Sequence, residues 1–76
     1  MAREYQVAYK YKSKQAASTA YSASHGIALA NGARAYSLIL DRVPHVLIES
    51  DKPLSEDVIR RLDEANSEGE RIHERI

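Results

Sequence analysis

The sequence predicts a small α+β domain of order β-α-β-β-α, with helices packed on a three-stranded sheet. Three observations predict it. Residues 3–12 alternate strictly between two side-chain classes. Residues 16–28 repeat alanine at helical spacing. Residues 35–50 hold two short apolar runs, rich in β-formers, on either side of a polar turn containing Pro44.

In the first strand, Arg3, Tyr5, Val7, Tyr9 and Tyr11 share one face, while Glu4, Gln6, Ala8, Lys10 and Lys12 share the other. The tyrosine side is the natural core face under the helices. Ser13 then offers a hydroxyl to the open amides of a helix start. Ala16, Ala17, Ala20, Tyr21, Ala23, Ile27 and Ala28 form a small-residue stripe that lets this helix approach a sheet closely. Asn31-Gly32 has two readings, as a hairpin turn or as a helix end. The alanine run favours the helix end, with glycine in the left-handed position.

The next segment, Ala35 to Ser50, reads as a β-hairpin with apolar residues on both faces. A five-residue loop groups Tyr36, Leu38, Leu40, Val46 and Ile48 against Ile39 and Leu47. A four-residue loop groups Leu38, Leu40 and Leu47 against Ile39, Val46 and Ile48. In both, large aliphatics look outward if the helices cover one face only. Ile39 and Leu47, with Tyr11 as a neighbour, are therefore the candidate contacts for a partner or a second copy.

Asp51-Lys52-Pro53 breaks the chain before the last helix. There Ser55 is the N-cap, Glu56 and Asp57 favour the positive helix start, and Leu54 staples to Ile59. The pairs Glu56/Arg60 and Asp57/Arg61 support its exposed side. Its stripe is Val58, Leu62, Ala65, Gly69, Ile72 and Ile76, a heptad-like rhythm that thins at Ala65 and Gly69. Residues 1–65 are thus expected to form the compact domain and residues 66–76 a charged, frayed helical extension, dispensable for folding.

A chain of 76 residues buries a limited core. Cysteine is absent, so no disulfide staples it, and His25, His45 and His73 lack ligand spacing for a structural metal. Oligomerisation remains as the expected source of stability. The opening residues show no apolar leader and no stretch approaches a membrane span, so the chain reads as soluble and cytoplasmic. Phosphate-binding glycine loops and nucleophile motifs are missing, and no cofactor is expected.

Net charge is zero but unevenly spread: residues 1–14 carry +3 and residues 51–76 carry −3. A neutral total argues against a protein whose main task is gripping phosphate backbone. The sequence is therefore read as a non-enzymatic interaction module, an adaptor or inhibitor that occludes a partner surface, as a homodimer. Compact inhibitors of phages and mobile elements are similar in size and lack of motif, an analogy of composition alone. The alternative is nucleic-acid binding through the Tyr-rich first strand with Lys10, Lys12 and Lys14, although alternation points those lysines away from the tyrosines. A third reading is a small enzyme or ligand-binding subunit whose site forms only between chains.

Overall fold

The computed structural model describes residues 5–75. The elements are β1 (Tyr5–Lys10), α1 (Lys14–Ala30), β2 (Ala33–Leu40), β3 (Val43–Ser50), α2 (Glu56–Ala65) and β4 (Glu70–Arg75). They form one sheet of order β2-β3-β1-β4 in which every neighbouring pair is antiparallel. β1 and β2 are thus parallel with β3 between them, and β3 and β4 are parallel with β1 between them. This is the split β-α-β arrangement of ferredoxin-like folds. The expected α+β class and element order hold. The sheet has four strands where three were expected.

The fourth strand corrects the expectation of a helical tail. α2 stops at Ala65 because Asn66 turns its side chain inward, and Gly69 carries the chain across Tyr11. A Cβ on Gly69 would lie 2.6 Å from that ring, so only glycine fits there without displacing it. The apolar rhythm breaks at the same place, and residues 70–75 pair with β1 through a register shift between Ala8 and Tyr9. Arg3, Glu4 and Ile76 lie outside the described residues.

Local chemistry accounts for the element ends. The Ser13 hydroxyl accepts from the Ala16 amide at 3.1 Å and the Ser55 hydroxyl from the Val58 amide at 3.2 Å. Asn31 and Gly32 end α1, with Gly32 at φ 72. The hairpin turn is tighter than either loop considered above. It is Asp41-Arg42 alone, at φ 52 and 67, the shape of a type I′ turn. Pro44 is inside β3 rather than in the turn. Its carbonyl accepts from the Tyr11 amide at 2.9 Å. Lacking an N–H, it cannot return that bond, and β1 ends at Lys10.

Both helices lie on one face of the sheet. Tyr5, Val7, Tyr9, Ala35, Val46 and Ile48 form a single buried cluster with Ala17, Ala20 and Ala28 of α1 and Val58 and Leu62 of α2. Two polar chains, one half-buried and one buried, fix the helices over it. The Tyr9 hydroxyl donates to Asp63 at 2.7 Å, and Asp63 pairs with Arg71 of β4 at 3.6 Å. The Tyr11 hydroxyl donates to Asn66, whose amide donates to Ser24 and to the Leu62 carbonyl, each at 2.8 Å. No described helix is long and apolar enough to cross a membrane.

Candidate interaction surface

With both helices on one face, the other face of the sheet is left open. The pairing register places its side chains in rows. Gln6, Glu49 and Arg34 form one row; Ala8, Leu47 and Tyr36 the next; Lys10, His45 and Leu38 the third; Val43 and Leu40 close it at the hairpin. The β2–β3 half is therefore a contiguous apolar area of Tyr36, Leu38, Leu40, Val43 and Leu47, each half-buried or exposed. Polar groups edge it. Gln6 donates to Glu49 at 3.0 Å beside Arg34, and Lys10 stands between His45 and Glu70. His45 is buried, and its Nδ1–H donates to the Val43 carbonyl at 2.8 Å. An apolar centre with a polar rim is an arrangement that macromolecular interfaces share.

The candidate residues separate. The facial grouping is that of the four-residue loop, because a two-residue loop has the same parity. Leu47 is on the open face. Ile39 sits across the sheet with Ala35 and Val46, beyond the reach of the helices and 53% exposed. Tyr11 is only 2% exposed and is tied into the chain's own core, so it is not part of an accessible patch with them. Lys10, Lys12 and Lys14 are all exposed. Tyr36, Leu38, Leu40 and Val43 enter the surface although none was singled out from sequence. Their signal was the parity of the turn, hidden because Asp-Arg lacks the glycine that marks a two-residue hairpin.

The alternating tyrosines face inward as the sequence predicted. Burial, with Asp63 as hydrogen-bond acceptor, raises the Tyr9 phenol far above its ordinary value. Burial, reinforced by the Glu68 charge, pushes Tyr11 up to about 12. Both phenols hold their protons near neutral pH and act as donors rather than acid–base groups. A cleft of about 370 Å³ lies between the first turn of α1 and the end of α2, lined by Ser13, Thr19, Ser67 and Glu68 among others. In that lining the hydroxyls meet one carboxylate, Glu68, and no histidine or lysine. Among the described residues, no group of three His, Asp or Glu side chains is placed to hold a metal.

Neither a family model, nor a curated protein, nor a solved structure matches the chain.

Proposed function

We propose that the protein is a non-enzymatic interaction module, an adaptor or inhibitor that lays the open face of its sheet on another protein and occludes part of that partner's surface. The observation that carries this reading is the contiguous apolar area of Tyr36, Leu38, Leu40, Val43 and Leu47 on a sheet face that neither helix covers. Its β-sheet scaffold holds these side chains rigidly, which limits the ordering cost of binding. The test is capture from host lysate by the wild-type chain and by Leu47→Asp. One protein species should be retained by the wild type and lost with the variant while circular dichroism stays unchanged. Equal retention by both removes the open face from the proposal.

Nucleic-acid binding is the second reading, supported by the exposure of Lys10, Lys12 and Lys14 at one end of the sheet. It lacks a stacking platform on β1, since Tyr5, Tyr9 and Tyr11 are buried. Binding to single- or double-stranded oligonucleotides with a steep salt dependence would favour it over the protein partner.

A further inference from the structure

The sheet has two edges, β2 and β4, and they are built differently. β4 reads Glu-Arg-Ile-His-Glu-Arg and meets β1 through a register shift. Charge and irregularity are devices that stop an edge strand from pairing with another chain. β2 reads Ala-Arg-Ala-Tyr-Ser-Leu-Ile-Leu, with one charge in eight residues, no proline and a regular ladder to β3. It is long, apolar and unguarded.

The ladder also shows which backbone groups it offers. In a two-residue hairpin, Leu40 and Val43 flank the turn and bond to each other, and alternate pairs do the same back to Arg34 and Glu49. Pro44, opposite Ile39, gives its carbonyl to Tyr11 on the other side, which fixes this phase. The amides and carbonyls of Ala35, Ser37 and Ile39 therefore point out of the sheet.

We infer that two copies join through β2, antiparallel, around a two-fold axis at Ser37, to make one eight-stranded sheet. In that register seven residues of each strand overlap, and the chain complements itself. Ile39, exposed on the helix side, meets the small Ala35 of the partner subunit. Tyr36 meets the partner's Leu38 on the open face, extending the apolar area across the axis. Arg34 reaches the turn that carries the partner's Asp41. The unpaired backbone groups and the stranded Ile39 are satisfied by the same event. The open face stays free, so this inference stands beside the proposed function and does not rest on it.

The full chain has no cysteine, so Ser37→Cys introduces a single thiol. Facing residues of a bonded antiparallel pair lie about 5.5 Å apart at Cα, inside disulfide range. Ser37→Cys should therefore oxidise to a covalent dimer, and Ser67→Cys, on the α2–β4 connection, should not. An edge pairing buries less than the roughly 1,600 Å² of a standard interface, so wild-type sedimentation is followed from about 10 μM to about 1 mM. It should show a monomer–dimer equilibrium, weakened at least tenfold by Ile39→Lys with its fold intact. Three results overturn the inference: a wild-type chain that stays at 8.5 kDa throughout, Ser37→Cys cross-linking no faster than Ser67→Cys, or Ile39→Lys dimerising like the wild type. Should Ser37→Cys misfold, the sedimentation pair decides alone. Leu47→Asp separates the two proposals, because it should abolish partner capture and leave the β2 disulfide in place.

Discussion

Asn66 concentrates more structure than any other side chain described. It accepts from Tyr11, donates to Ser24 and closes the last turn of α2, so one amide joins the residue that follows β1 to α1 and α2. Asn66→Ala should cost about 2–4 kcal/mol by urea denaturation, because it strands the Tyr11 hydroxyl as well as deleting its own bonds. The two tyrosines also set an alkaline limit. A phenol whose folded pKa is raised above 10 contributes stability that is complete below pH 10 and declines as pH rises toward the folded value. Unfolding midpoints should therefore fall between pH 10 and pH 12. Tyr11→Phe should flatten part of that slope while lowering stability at neutral pH.

At the scale of elements, the Asp41-Arg42 turn and β4 carry the consequences. Arg42 holds a left-handed backbone that β-hairpins ordinarily assign to glycine. Arg42→Gly should raise stability by about 0.5–1 kcal/mol in thermal melts, because relief at the turn exceeds the added freedom of the unfolded chain. Removal of residues 66–76, which the sequence suggested was harmless, is now expected to abolish the cooperative transition. It deletes Asn66, the Arg71–Asp63 pair and the strand that covers β1. What was legible in the sequence followed from period and caps: the inward tyrosines of β1, Ser13 and Ser55 as caps, and Gly32 at the end of α1. What was not legible depended on contacts between distant residues. Gly69 is set by the ring of Tyr11, far away in sequence. Arg60 pairs with Asp57, which also takes Arg61 at 3.2 Å, in place of the expected Glu56. The composition of the open face depended on one parity bit that Asp-Arg conceals. Leu38, which a five-residue loop would group with Val46 and Ile48, stands on the open face for the same reason. Leu38→Asp is expected to spare the fold, whereas Ile48→Asp, at a fully buried position, is expected to unfold it.

The whole molecule is lopsided. One sheet face is closed by two helices and the other is bare; one edge is charged and irregular and the other smooth. Such asymmetry suits the two contacts proposed above, with the edge offering hydrogen bonds and the face offering area. The strand order has a further consequence, in the timing of synthesis. β1 is made first, yet its neighbours are β3 and β4, so it has no sheet partner until the chain has been extended past Val43, and no second one until Glu70–Arg75 exists. Residues 5–75 must therefore leave the ribosome almost entirely before the tyrosines of β1 can be enclosed, and folding waits for loop closures of long separation. A force-sensitive arrest sequence fused at increasing distances behind the chain should register tension in one step, after β4 has emerged, rather than in stages.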